Sequence, residues 1–165
     1  MTKNRMENLS REVVGEGAVK IIDYLLGKKD ISEFQVAKSL RSEVNGIRSL
    51  LYKLHNHNLV TYIRKKDKEK GWYISYWTLF PKGFKELESR LKRQKIETLK
   101  ERLRKEESNK NSFFMCRNAC IRMDIDQGME CNFRCPECGE LLQQQDNTKT
   151  ITNLKEKIKD METEA

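Results

Sequence analysis

The sequence predicts an α+β chain: an N-terminal winged helix-turn-helix domain, a long basic connecting helix, and a C-terminal zinc ribbon with a short terminal helix. Three observations carry this reading. Apolar residues recur at helical spacing over residues 14–54, then give way to a strand-like hairpin over 59–79. A charge-rich helical stretch follows from Pro81. Four cysteines then fall in two short turns, Cys116-x3-Cys120 and Cys135-x2-Cys138. The expected boundaries are 1–80 for the winged domain, 81–112 for the basic helix and linker, 113–145 for the ribbon, and 146–165 for an acidic tail helix.

In the first region Val14, Ala18, Ile21, Ile22 and Leu25 make one helical stripe, and Gly27 stops it. Ser32 with Gln35 three residues on is a capping box for a second helix carrying Val36, Ala37 and Leu40. Ser42 is expected to cap a third helix, with Val44, Ile47, Leu51 and Leu54 inward and Asn45, Arg48, Ser49, Tyr52 and Lys53 outward. Leu59–Arg64 and Trp72–Leu79 are β-rich runs around the polar turn Lys65–Gly71. Three helices followed by a hairpin is the winged helix-turn-helix arrangement, with the hairpin as the wing.

Pro81 suits a first helical turn. Phe84, Leu87 and Leu91 form a stripe that Ile96, Leu99 and Leu103 continue after a slip of one position. The predicted helix has about 27 residues and a length of about 40 Å. Ser108–Ser112 reads as a linker and Asp146-Asn147 as a turn. Leu154, Ile158 and Met161 then give a short amphipathic helix, either solvated or docked.

The cysteine turns lie about fourteen residues apart, a spacing at which two knuckles present four thiolates to one Zn²⁺. Pro136 fixes φ in the second turn, and Gly139 accepts the positive φ that a tight turn after a ligand needs. Cys116, Cys120, Cys135 and Cys138 are therefore the expected ligands of one structural zinc. The competing readings are two disulfides or free thiols. The chain starts with polar, charged residues and has no secretory apolar core or membrane-length run. The expected location is cytoplasmic, where paired cysteines favour metal. Cys131 is expected to be a bystander or a competitor for metal. His55 and His57 lie far from the cysteines in sequence.

A formal net charge of +8, with 37% hydrophobic and 35% charged residues, suits small cores and a polyanionic neighbourhood. Strand alternation puts Tyr73 and Trp77 on one face of the wing and Trp72 and Tyr76 on the other. One pair must cover the helices. The other would stand exposed beside Lys65, Lys66, Lys68 and Lys70, a surface suited to stacking on melting DNA or to a protein partner. All eight are candidate contacts with nucleic acid or polymerase. Glu43 at the start of the third helix makes it a poor major-groove reader. No phosphate loop, nucleophile motif or open three-ligand metal pattern is present, so no enzyme is predicted and no small-molecule substrate.

Val13–Gly27, Glu43–Leu54, Gly71–Trp77 and Phe133–Leu141 resemble archaeal transcription initiation factor E, alpha subunit. That family is the counterpart of the large subunit of the eukaryotic general factor E. The resemblance runs through nearly the whole chain in order. It implies a basal factor that joins the preinitiation complex, binds RNA polymerase at its clamp and stalk, and assists TATA-binding protein and factor B on promoter DNA. It also implies help in DNA opening, with a beta subunit as a further candidate partner and no membrane association. The family usually has Arg-Tyr-Thr-Phe-Asp-Glu-Ala after its second cysteine. Here Arg122–Gly128 replaces the two aromatics with Met123 and Ile125. The alternative reading is a zinc-containing winged-helix regulator that binds a defined DNA site.

Overall fold

The computed structural model describes residues 2–66 and 71–163. Lys68 and Lys70, two of the expected contact residues, lie outside the described residues. The chain divides into two compact units, Met1–Leu91 and Lys92–Ala165.

The first unit contains α1 (Lys3–Val13), α2 (Glu16–Leu25), β1 (Ile31–Ser32), α3 (Glu33–Leu40), α4 (Val44–Asn56), β2 (Val60–Lys66), β3 (Tyr73–Leu79) and the opening turns of α5 (Pro81–Ser108). The strands form an antiparallel sheet in the order β1-β3-β2. Helix α1 was not expected from the sequence. Its signal is Met6, Leu9 and Val13 at i, i+3 and i+7, and Met6 and Leu9 are buried.

The capping box forms: Ser32 Oγ accepts from the Gln35 amide at 3.2 Å, and the Gln35 side chain accepts from the Ser32 amide at 3.0 Å. The expected cap at Ser42 does not. Glu43 takes the N-cap position of α4 without a side-chain bond, while Ser42 Oγ donates to the Leu40 carbonyl. Ile47, Leu51 and Leu54 are buried as the helical stripe requires. Tyr52, expected to face outward, instead meets Trp77 edge-on with ring centres 5.3 Å apart. Tyr62 stacks obliquely on the same indole at 4.8 Å. Phe84 and Leu87 of α5 join this core. Fully burying side chains of this size contributes about 1.5–3 kcal/mol each.

The second unit contains the rest of α5, β4 (Phe113–Cys116), β5 (Arg122–Met123), α6 (Ile125–Glu130), β6 (Leu142–Gln145) and α7 (Thr148–Thr163). Its sheet order is β5-β4-β6. Helix α6 was not read from the sequence, although Asp124 and Gln127 form a reciprocal capping box before it. The buried core is small: Cys116, Met123, Cys135 and Leu142, with Phe114, Ile121, Cys131 and Phe133 packed on it. Met123, one of the two residues replacing family aromatics, fills this core, while Ile125 stays exposed.

Helix α7 runs antiparallel to the end of α5. Lys100 pairs with Glu162 and Glu107 with Lys155, both at 2.7 Å. Ile151, Leu154 and Ile158 are buried, so the tail helix is docked within its own unit. Met161, the third residue of the expected stripe, is only half-buried. Among the described residues no helix is long and apolar enough to cross a membrane.

Candidate metal centre and hairpin surface

The two cysteine turns are built alike. In the first, the Cys116 amide donates to the Ile121 carbonyl at 3.0 Å, and Ala119 closes the turn onto the Cys116 carbonyl at 2.8 Å with φ of 55°. In the second, the Cys135 amide donates to the Glu140 carbonyl at 2.8 Å, and Gly139 closes onto the Cys135 carbonyl at 2.8 Å with φ of 76°. Each turn thus curls around one sulfur and exposes the next.

The sulfurs of Cys116, Cys120, Cys135 and Cys138 all lie within 4.8 Å of one another. The sequence-predicted ligand set is therefore brought together. Four sulfurs around a Zn²⁺ with bonds of about 2.3 Å would lie about 3.8 Å apart, so this donor set fits that ion. The thiols also show the strain of shared charge. The backbone N–H of Glu140, with Cys116, brings the Cys138 thiol down to about 7. The bond to Cys138 and burial push Cys120 up to about 12. Burial raises Cys135 as well. Sulfurs this close cannot all be thiolates unless a cation shares them. Asn118 adds two donors, its amide to Cys116 at 3.4 Å and its Nδ2 to Cys138 at 3.7 Å.

Cys131 stands apart from the four. Its thiol donates to the Gln127 carbonyl at 3.3 Å and lies 3.5 Å from the Met123 sulfur. It belongs to the core beneath α6.

At the hairpin, the four aromatics do not separate into the two expected pairs. Trp77 is 0% exposed and is core, not contact surface. Tyr73 shares its face but, at the first position of β3, is 64% exposed. Trp72 is 58% exposed and Tyr76 is half-buried. The exposed aromatics are thus the neighbours Trp72 and Tyr73. With Glu33, Phe34, Arg48 and Ile74 they line a shallow cavity of about 260 Å³. Phe34 was missed in the sequence, where it reads as an ordinary helix position. Lys65 and Lys66 are exposed, and the Lys65 ammonium lies 5.3 Å from the Tyr76 ring centre.

Arg48, an expected outward position of the third helix, is bound at 2.6 Å to the buried Glu33 carboxylate. That pairing raises its pKa further, chiefly through the Glu33 hydrogen bond. His55 is a structural residue: its Nδ1 meets the Val60 carbonyl at 3.0 Å, and its ring packs on Tyr62.

Residues 4–109 match the family profile described as TFIIE alpha subunit. A protein named Transcription factor E from Sulfolobus acidocaldarius is 37% identical over 160 residues, covering 96% of this chain and 92% of that one. The protein of the same name from Methanococcus maripaludis is 34% identical, over 96% of this chain and 87% of its own. That from Thermococcus kodakarensis is 34% identical, over 94% of this chain and 84% of its own. Among solved structures, a chain titled "Possible transcriptional regulator" from Methanosarcina mazei Go1 aligns with a TM-score of 0.46 and 15% identity, over 58% of this chain and 86% of that one. A likeness at that level is no guide to function. The profile covers well over half of the chain, and the relatives match nearly end to end. This chain belongs to the transcription factor E family and is a transcription initiation factor, not an enzyme.

Proposed function

We propose that the chain joins RNA polymerase at promoters as a basal initiation factor and favours DNA opening there. In this reading the first unit is a winged helix-turn-helix domain whose wing is the β2–β3 hairpin. The second carries a zinc ribbon in which Cys116, Cys120, Cys135 and Cys138 hold one structural Zn²⁺. The functional parts follow the boundaries 1–80, 81–112, 113–145 and 146–165. The partners are the polymerase clamp and stalk, with TATA-binding protein and factor B on the promoter. A beta subunit is a further candidate partner, and the setting is cytoplasmic.

One observation carries the mechanism: Trp72 and Tyr73 stand exposed side by side at the end of a basic hairpin. Each exposed ring offers a stacking surface worth about 1–3 kcal/mol per base. Opening exchanges stacking in the duplex for stacking elsewhere, so such rings favour the melted state. The hairpin needs little DNA affinity of its own if polymerase tethers the rest of the chain. Only preference for open over closed DNA shifts the equilibrium. The ion pair of Arg48 with buried Glu33 supports this reading over that of a site-specific regulator, because it removes the strongest base-reading side chain from α4.

Co-purification with RNA polymerase, with and without the stalk subunits, tests the assignment. Retention that depends on the stalk supports it. Failure to bind polymerase, together with nanomolar binding to a defined DNA site at physiological salt, would replace it with the regulator reading.

A further inference from the structure

We propose that the outer edge of β2 is a docking strand for an extended acidic peptide of a partner protein, which joins the β1-β3-β2 sheet as a fourth strand. β3 occupies the middle of that sheet, so β2 keeps one side open. The register fixes which groups face outward. The Phe80 amide bonds the Leu59 carbonyl at 2.9 Å, which makes 59 and 80 a hydrogen-bonded pair. Such pairs alternate along an antiparallel ladder. Thr61, Ile63 and Lys65 therefore bond inward to Thr78, Tyr76 and Ile74. Val60, Tyr62, Arg64 and Lys66 turn their N–H and C=O groups away from β3.

His55 takes the Val60 carbonyl. At Tyr62, Arg64 and Lys66 no outward backbone bond occurs among the described residues. An open edge of this length is ordinarily shortened, covered or charged. Here it is charged. Arg64, Lys65 and Lys66 are exposed, and none takes part in an ion pair among the described residues.

Those charges choose the occupant. They disfavour a basic strand and attract an acidic one. Strand alternation places Arg64 and Lys66 on one face, and Ile63 and Lys65 on the other. Ile63 is 44% exposed. The complementary strand therefore carries acids two residues apart, with a β-branched apolar residue between them to cover Ile63. Backbone bonds supply affinity and the alternating side chains supply selectivity, as in other strand-addition complexes. The partner is recognised by this chemistry, independently of the opening activity proposed above.

The test uses the full, zinc-loaded, ¹⁵N-labelled chain and the peptide acetyl-Thr-Glu-Val-Glu-Ile-Glu-Thr-amide. The amides of Tyr62, Arg64 and Lys66 should shift and gain protection from hydrogen exchange. A peptide of the same sequence, N-methylated at alternate residues, keeps the charge but loses the ladder bonds and should bind weaker by about tenfold. Arg64→Glu and Lys66→Glu, both at exposed positions, should each weaken the unmethylated peptide by about tenfold. Equal binding of both peptides would mean charge attraction alone and overturn the proposal. So would silence of these amides at about 1 mM peptide, which would leave the charges as guards of the edge. Protection of the same amides by self-association, or preferential occupation by an oligo-dT strand, would also overturn it.

Discussion

The guanidinium of Arg122 grips the carboxylate of Glu106 through two parallel bonds, Nη1 to Oε1 and Nη2 to Oε2, both 2.9 Å long. Glu106 is 3% exposed. Asn147, fully buried, adds a bond to Glu106 Oε2 at 2.8 Å and another to the Glu106 carbonyl at 2.9 Å. The Asn111 amide donates to Asn147 Oδ1, and Arg122 lies over the Phe113 ring. One buried carboxylate thus joins the last turns of α5, the strand after the first cysteine turn, and the start of α7.

Removing one partner of this lock should cost more than removing both. Arg122→Ala leaves the Glu106 charge buried with only Asn147, an expected loss of about 3–5 kcal/mol in the second unit. Glu106→Leu with Arg122→Met replaces the pair by apolar groups and should be milder. Thermal unfolding of the two variants, with zinc content measured on each, checks the order. Equal losses would show that the pair is not electrostatically coupled.

The lock also fixes a pH dependence. Arg122, then Asn147, holds the Glu106 carboxyl below its ordinary value of 4.5. A carboxyl depressed in the folded state stabilises fully above its unfolded pKa, and the gain is lost as pH falls through the lower folded value. The stability difference between the native chain and Glu106→Gln should therefore be constant above about pH 5 and shrink below about pH 4.5. The difference isolates this group, because thiolate protonation acts on both proteins. A difference that grows on acidification would refute the assignment.

Cys135→Ser should remove the metal and unfold the second unit, because structural Zn²⁺ contributes on the order of 10–16 kcal/mol in small peptides. The first unit should keep its unfolding transition. Cys131→Ser should retain about one Zn²⁺ per chain, since that thiol bonds the α6 backbone and not the four-sulfur cluster. Metal analysis of the purified variants decides both points. Loss of zinc in Cys131→Ser would mean a wrong ligand set.

Gly83 offers a test of the first unit. A Cβ there would lie 1.9 Å from the Asn58 carbonyl oxygen, which is backbone and cannot step aside. Gly83→Ala, ordinarily favoured in a helix, should instead destabilise by about 1–3 kcal/mol. Denaturant melts read this directly, and unchanged stability would show that α5 sits further from the turn at Asn58.

Which features were legible in the sequence follows from how local their causes are. The four-cysteine cluster was readable because the spacing of its members is a property of two short turns. The capping box at Ser32 and Gln35 and the stripe Ile47, Leu51, Leu54 were readable because helix geometry fixes them within a few residues. The start of α4 was misread because two neighbouring polar residues, Ser42 and Glu43, compete for one cap position. The lock of Glu106, Arg122 and Asn147 left no local signal, since its members come from three separate elements. Trp72 and Tyr73 show the limit of alternation: period two assigns faces, but not where packing beneath a strand ends.

The most direct measurement of the central claim is promoter opening with polymerase and its initiation factors, followed by reactivity of unpaired thymines on duplex and pre-melted templates. Stacking costs roughly 1.4 kcal/mol per base step to break, so stimulation should be greatest where melting is hardest. The native chain should raise opening strongly on weak duplex promoters or in the cold, and little on pre-melted ones. Trp72→Ala with Tyr73→Ala should abolish the gain while polymerase binding and zinc content stay intact. Equal stimulation on both templates, unaffected by those substitutions, would contradict the account and leave recruitment as the role of the chain.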